Sequence, residues 1–281
     1  MKLYNEDCLE VLKEIPDASV DLVVTDCPYH IVSGGCSNEA VTIGRYTQTG
    51  GILNKRVRTD EHGNKFYSDS KHVSLCGILN DANPQTYTRQ GKLFKFNEIK
   101  FSEWLSEVYR ILKPGTHIYI MINPRNLKDL WVAAEDVGFV FQNLIVWDKG
   151  NATPNKYYMN AYELILMMRK GKAKNINDMG SKNILRVPNI TRTKLHPTEK
   201  PAELMQILVE NSTNENEVVM DPFMGVGGVG IACKLTKRHF IGIEIDEKYF
   251  LIAKQRINDT EGFTAVESVK EEEPQVQLTF F

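Results

Sequence analysis

The sequence lacks any cysteine pattern typical of a metal site or a disulfide framework. Its five cysteines form no CxxC pair and show no ligand spacing, and their number is odd. Reduced thiols in a cytoplasmic protein are the simplest explanation, and no metal is expected. Long apolar runs are also missing, since no stretch approaches the ~20 residues of a transmembrane helix. Acidic residues near the N-terminus, Glu6 and Asp7, argue against a signal peptide.

Net charge is small, but it is unevenly spread along the chain. The formal charge is −2 over 281 residues, of which 42% are hydrophobic and 25% charged. This is the balance of a globular protein with one large α/β domain or two small ones. The segment from His30 to Lys100 contains ten Lys/Arg and six Asp/Glu, and the segment from Asp148 to Lys200 contains eleven Lys/Arg and four Asp/Glu. These basic segments favour a localised anionic partner, the alternative being solvated loops with a chance excess of charge.

Short apolar, β-branched runs alternate with helical patterns, which predicts an α/β fold. Because the runs are almost continuously hydrophobic, we expect a mostly parallel, twisted sheet with helices on both faces. The predicted strands are Asp21–Thr25, His117–Ile122, Phe139–Trp147, Glu163–Met168, Val218–Met220 and Phe240–Ile245. The predicted helices are Cys8–Ile15, Glu98–Leu112, Arg125–Val137, Pro201–Asn211, Val226–Leu235 and Glu247–Asn258.

Three segments depart from this alternation. Residues 31–97 are polar, rich in glycine and basic, and a loop this long inside a domain is typical of a functional insertion. Residues 171–195 form a shorter basic stretch, and residues 259–281 form an acidic, flexible tail. The prediction is a single domain over residues 1–258 that carries both basic segments.

Two motifs follow predicted strands directly. Asp26-Cys27-Pro28-Tyr29 comes after DLVVT and offers a carboxylate, a rigid turn and an aromatic face, although Asp-x-Pro is also a common turn. Residues 218–230, VVMDPFMGVGGVG, read as a strand, a glycine-rich turn and a helix start. Glu244 ends the next strand, where an acid can bind ribose hydroxyls. This second pattern also fits a nicotinamide dinucleotide site, but Asp221-Pro222-Phe223 separates its strand from its glycines.

A third motif, HPTEKP at residues 196–201, opens a predicted helix. Thr198 and Glu199 suit the start of that helix and Pro201 suits its first turn, so helix capping alone could explain them. Taken with the two earlier motifs in this order, however, the sequence resembles the adenine-N6/cytosine-N4 amino-methyltransferases of DNA with the β-type motif order. The resemblance runs from about Leu3 to Asn258 and is interrupted mainly by residues 31–97.

The resemblance implies a Rossmann-like methyltransferase fold with S-adenosylmethionine as cofactor, and a role in DNA methylation and restriction-modification. Implied catalytic residues are Asp26, Cys27, Pro28 and Tyr29. Implied cofactor-binding residues are Asp7, Cys8, His196, Thr198, Lys200, Asp221, Phe223, Gly225, Gly227 and Glu244. Asp221 would lie near the methionine ammonium, Glu244 would hold the ribose, and Lys200 would favour the methionine carboxylate. The family usually has proline at position 27, but Cys27 keeps the backbone carbonyl that the chemistry needs.

Aspartate at position 26 resembles the adenine-N6 branch, since the cytosine-N4 branch more often has serine there. The expected reaction is therefore methylation of adenine N6 on a flipped-out base in double-stranded DNA. Cytosine-N4 methylation, an RNA or protein amino-methyltransferase, a nicotinamide-dependent oxidoreductase and an inactive DNA-binding protein stay as alternatives. The expected DNA-binding residues are Lys55, Arg56, Arg58, Lys65, Arg89, Lys172, Lys174, Arg186 and Arg192.

The last five residues, Gln277–Phe281, resemble the short peptides by which bacterial DNA-processing proteins bind the replicative sliding clamp. A flexible linker that presents apolar anchors and a glutamine would suit a hydrophobic groove, whereas the alternative is an edge strand on this protein's own surface. We expect a monomer or homodimer, of prokaryotic or phage origin, acting on DNA in the cytoplasm without a membrane partner.

Overall fold

The protein is described by a computed structural model. It covers residues 1–28, 99–153, 158–190, 194–196 and 199–262, together with the backbone of two short strands at residues 57–59 and 65–67. The chain forms two compact units, one made of Met1–Tyr29 with Glu98–Phe281 and the other of His30–Asn97. In the second unit, β3 (Val57–Thr59) pairs antiparallel with β4 (Lys65–Tyr67). No helix in the described part of the chain is long and apolar enough to cross a membrane.

The larger unit contains an eight-stranded sheet among its described residues. Its strands are β1 (Lys2–Tyr4), β2 (Val20–Thr25), β5 (Leu112–Ile122), β6 (Phe139–Thr153), β7 (Asn160–Lys170), β8 (Ile184–Arg186), β9 (Val218–Asp221) and β10 (His239–Ile243). Their order across the sheet is β1-β10-β9-β2-β5-β7-β6-β8. All neighbours are parallel except β7, which is antiparallel to both β5 and β6. The predicted, mostly parallel α/β fold is confirmed.

Six helices of this unit are described: α1 (Cys8–Glu14), α2 (Phe101–Ile111), α3 (Leu127–Val137), α4 (Ala202–Ser212), α5 (Gly228–Leu235) and α6 (Glu247–Asp259). Their ends follow local chemistry. The Asp246 carboxylate accepts hydrogen bonds from the backbone N–H groups of Lys248 and Tyr249, which caps α6. Gly138 ends α3 in the left-handed conformation, with φ 113°.

Helices cover both faces of the sheet because the central strands alternate their apolar side chains between two cores. On β5, Ile118 and Ile120 pack in one core, whereas Tyr119 and Met121 pack in the other. The first core is completed by α1, α2 and α3 and the second by α4, α5 and α6. This two-sided burial accounts for the continuous hydrophobicity of the strands.

The sequence prediction missed four short strands, β1, β3, β4 and β8, and began four of the helices one to three residues early. Each of these strands is three residues long, too short to give a periodic signal. Pro201 is the residue before α4 rather than part of its first turn. Glu199 does not cap that helix, because its carboxylate is buried and bonded elsewhere.

Candidate functional site

Three strand ends meet at the carboxyl edge of the sheet and bring together acids that are far apart in sequence. Pairing of Val23 with Met220 and of Asp221 with Gly242 aligns β2, β9 and β10. Asp26 follows β2 directly, Asp221 is the last residue of β9, and Glu244 follows β10. This edge is where parallel α/β sheets bind their ligands.

Asp221 is a buried carboxylate that is fixed by two hydrogen bonds. Its Oδ1 accepts from the Thr25 hydroxyl at 2.7 Å and from the Phe223 backbone N–H at 3.0 Å. Burial raises the pKa of Asp221 to about 7, although both hydrogen bonds act in the opposite direction. A nearby cation would stabilise the ionised form.

The glycine-rich turn after β9 is held in shape by Glu244. One Glu244 oxygen accepts from the Gly225 backbone N–H at 2.9 Å and the other from the Asp246 backbone N–H at 2.8 Å. Gly225 and Gly227 have φ values of 52° and 82°, which glycine adopts without strain. Burial raises the pKa of Glu244 to about 7 as well.

A cavity opens between these elements. Phe223 lines the cavity and packs edge-on against buried Trp104, with ring centroids 5.3 Å apart. Residues from all three predicted motifs line the cavity, among them Asp26, His196, Lys200, Asp221, Phe223 and Gly225.

Lys200 bridges two carboxylates. Its ammonium lies 2.6 Å from Oδ2 of Asp26 and 3.4 Å from Oε2 of Glu163, a residue of β7. The second Glu163 oxygen lies 3.4 Å from the ammonium of Lys149. The sequence predicted that Lys200 binds the cofactor carboxylate, and the structure pairs its ammonium with the carboxylates of Asp26 and Glu163.

The segment before α4 is tied to α6. Glu199 accepts the Leu195 backbone N–H at 2.7 Å and forms a salt bridge of 2.8 Å with Arg256. His196 packs edge-on against Tyr249, with ring centroids 4.3 Å apart. Burial lowers the pKa of His196 to about 4, so its imidazole is neutral near pH 7.

The other predicted site residues are not part of the cavity lining or lie outside the described residues. Asp7 is exposed and caps α1 through a hydrogen bond of 2.9 Å from the Leu9 backbone N–H. Cys8 and Cys27 are buried, and Pro28 follows at the end of the described segment. Outside the described residues, or with only their backbone described, lie Tyr29, Lys55, Arg56, Arg58, Lys65, Arg89, Arg192, Thr198 and the tail Gln277–Phe281.

The basic stretch 171–195 is divided between the two edges of the sheet. Lys172 follows β7, whose antiparallel direction carries the chain to the amino edge. There the Lys174 backbone N–H donates to Gly115 at the start of β5. From His117 to Ile122, where β5 ends near the site, the strand spans roughly 17 Å, so Lys174 lies at least that far along the strand direction from the site edge. Only from β8 onward does the chain return towards the site, with exposed Arg186 lying 3.6 Å from Asp148.

Sequence reasoning missed three polar residues of the site: Thr25, Lys149 and Glu163. Thr25 is the final residue of a hydrophobic strand, and the role of its hydroxyl, which donates a hydrogen bond to Asp221 on β9, becomes visible only in the structure. Lys149 is on β6 and Glu163 is on β7. Trp147 pairs with Glu163 across the two strands, and Lys149 is two residues after Trp147, so all three side chains lie on the same face of the sheet. Charged residues within apolar strands were the available signal.

These residues fit S-adenosylmethionine. Its sulfonium and ammonium groups are cationic, which suits a cavity lined by the buried carboxylate Asp221. Its ribose offers hydroxyls, and the Glu244 carboxylate lies next to the cavity, bonded to Gly225 of its lining. Glycine backbone at the start of α5 allows close approach.

Comparisons with known proteins identify the family of this chain. The family described as DNA methylase, the N6/N4 methyltransferases, matches residues 20–255. M2.LlaDCHI, a type II methyltransferase of Lactococcus lactis subsp. cremoris, is 27% identical over 275 residues, which is 91% of this chain and 88% of that protein. The solved M1.HpyAVI–SAM complex is 25% identical, with a TM-score of 0.59 over 91% of this chain and 98% of that one.

PvuII DNA methyltransferase, a cytosine-N4-specific enzyme, shares the fold at 15% identity, with a TM-score of 0.60 over 92% of this chain and 90% of that one. The resemblance predicted from the motifs is thus confirmed by a match over most of the chain. The chain belongs to the N6/N4 DNA methylase family and is a DNA amino-methyltransferase whose cofactor is S-adenosylmethionine.

Proposed function

We propose that this enzyme methylates the N6 amino group of adenine in double-stranded DNA, on a base flipped out of the helix. The observation that carries the proposal is the position of Asp26, whose partly exposed carboxylate lines the same cavity as Asp221. An amino group that enters this cavity meets an acceptor on one side and the cofactor site on the other. Aspartate at position 26 is the residue that favours adenine over cytosine.

The amino nitrogen of adenine is a weak nucleophile because its lone pair is delocalised into the ring. S-adenosylmethionine supplies the electrophilic methyl group. Asp26 and the backbone carbonyl of Cys27 accept the two N–H groups, which draws the nitrogen towards tetrahedral geometry and frees its lone pair. Asp26 also stabilises the positive charge that develops on the nitrogen, and Tyr29 stacks on the flipped base.

We also propose cofactor roles for residues of the cavity and of the turn beside it, as the resemblance to the family implies. Asp221 holds the methionine ammonium, and Phe223, Gly225 and Gly227 form the wall and floor of the site. Glu244 holds the ribose. We further propose that the methionine end is covered by His196, Thr198 and Lys200, and that Asp7 and Cys8 border the cofactor adenine.

DNA binds at the carboxyl edge of the sheet in this proposal, since the target base must reach Asp26. Arg186, at the end of β8, is a predicted DNA-binding residue that the structure describes near this edge, and its side chain is 82% exposed. We further propose, from their charge alone, that Arg192 and the basic residues of segment 31–97 contact DNA. We leave Lys172 and Lys174 out of it, because they lie at the opposite edge of the sheet.

The test is an Asp26→Ala variant assayed for transfer of labelled methyl groups to unmethylated genomic DNA. We expect turnover below a tenth of wild type, a loss of more than ~1.4 kcal/mol of transition-state stabilisation. S-adenosylmethionine affinity, measured separately by calorimetry, should change by less than threefold. A variant that retains more than a tenth of wild-type turnover would refute the role of Asp26.

A further inference from the structure

Four side chains beside the cavity form a chain of alternating charge: Lys149, Glu163, Lys200 and Asp26. Consecutive members are 3.4, 3.4 and 2.6 Å apart. The two lysine side chains are only 10% and 9% exposed, so solvent screens these interactions weakly. The chain links the proposed acceptor of the target amino group to two strands, β6 and β7, that lie beyond it in the sheet.

This arrangement creates a conflict for Asp26. A carboxylate that is fully paired with an ammonium at 2.6 Å is a weaker acceptor for an incoming amino group and stabilises less developing positive charge. Glu163 offers the same ammonium a second carboxylate at 3.4 Å. Lys200 is therefore shared between two acids rather than held by Asp26 alone.

We propose that Glu163 is a positioning residue that draws the Lys200 ammonium partly away from Asp26 and so keeps Asp26 available to the target amino group. This inference rests on the proposed role of Asp26 as that acceptor. Lys149 limits the effect, because it shares the charge of Glu163 and weakens its pull on Lys200.

The pKa shifts of Asp26 and Glu163 agree with this geometry. Burial raises the pKa of Asp26 and the charge of Glu163 raises it further, whereas Lys200 and Lys194 act in the opposite direction. The charge of Asp26 in turn contributes to the raised pKa of Asp221. Burial opposes ionisation of Glu163, but Lys200 and Lys149 outweigh it and lower the pKa of Glu163.

The direct test is to measure the pKa of Asp26 in the ligand-free protein by a pH titration monitored by NMR. Aspartate is labelled with ¹³C at Cγ, and the signal of Asp26 is identified by its absence in an Asp26→Asn variant. Glu163→Gln removes the competing charge, and we expect the pKa of Asp26 to fall. Lys149→Met should raise it, because Glu163 then draws Lys200 more strongly. Glu215→Gln, in an exposed pair 3.3 Å from Lys237, is the matched control and should leave it unchanged.

Methyl transfer to unmethylated genomic DNA gives the second readout. Glu163→Gln should lower turnover by about tenfold while the Kd for S-adenosylmethionine changes by less than threefold. Shifts of the same sign in Glu163→Gln and Lys149→Met, no shift in either, or turnover of Glu163→Gln within twofold of wild type would overturn the inference. Turnover of Asp26→Ala above a tenth of wild type would instead overturn the proposed function, so the two failures are distinguishable.

Discussion

Replacing Asp221 with asparagine should stabilise the ligand-free protein while weakening its affinity for S-adenosylmethionine. Asparagine keeps an oxygen that can accept from Thr25 and Phe223 but carries no charge. The wild-type carboxylate is ionised at pH 8 in a buried position, which costs folding free energy that its two hydrogen bonds offset in part and a bound cation would offset further.

The magnitude follows from the change in pKa from 3.8 to about 7 on folding. The folded state binds more protons than the unfolded state between about pH 4 and pH 7, so stability falls as the pH rises through that window. At about 1.4 kcal/mol per unit, the full cost above pH 7 is about 4 kcal/mol, and it nearly vanishes near pH 4. At roughly 2 °C per kcal/mol, Asp221→Asn should gain roughly 4–8 °C more in Tm at pH 8 than at pH 4.5.

Thermal unfolding at both pH values, with and without S-adenosylmethionine, is the assay. We expect the cofactor to raise the Tm of Asp221→Asn at pH 8 by less than half its effect on wild type. Asp21→Asn is the control, because that buried carboxylate is paired with Lys113 at 2.7 Å, so its loss should destabilise the protein without changing the response to cofactor. An increase in Tm of Asp221→Asn over wild type that is the same at both pH values would refute the proposed cost of ionising buried Asp221. An unchanged increase in Tm on adding S-adenosylmethionine would refute its proposed role in cofactor binding.

Three further outcomes test the surroundings of the site. Glu199→Gln breaks the buried salt bridge with Arg256 and should lower stability by about 1–3 kcal/mol in denaturant titration. Gly230→Ala places a Cβ 2.4 Å from Cδ1 of Ile257, so overpacking should cost about 1–3 kcal/mol in the same titration. Lys172→Glu, at the edge opposite the cavity, should leave DNA affinity within twofold of wild type at fixed salt; a larger loss would place DNA on that edge.

Much of the fold could be predicted because its signals are local. The period of α2, with Trp104, Leu105 and Val108 buried on one face, and the glycines after β9 each specify their element from neighbouring residues. Asp26 and Asp221 could be placed at one edge because parallel strands share their carboxyl ends.

The remainder depends on pairings that the sequence does not contain. The antiparallel direction of β7 sends Lys172 to the far edge, and nothing in the apolar run of β7 specifies its direction. Glu199 matches a helix-start pattern, but its partner Arg256 is 57 positions away in the sequence and reaches it only through the packing of α6. The same limit applies to Lys200, whose two carboxylate partners come from β7 and from the end of β2.

The most direct test of the central claim is the identity of the methylated base. Unmethylated genomic DNA would be incubated with the enzyme and S-adenosylmethionine, digested to nucleosides and analysed by mass spectrometry, with Asp26→Ala as the control. The account predicts N6-methyladenine from the wild-type enzyme and none above background from the variant. N4-methylcytosine from the wild-type enzyme, or methylation that persists in the variant, would contradict it.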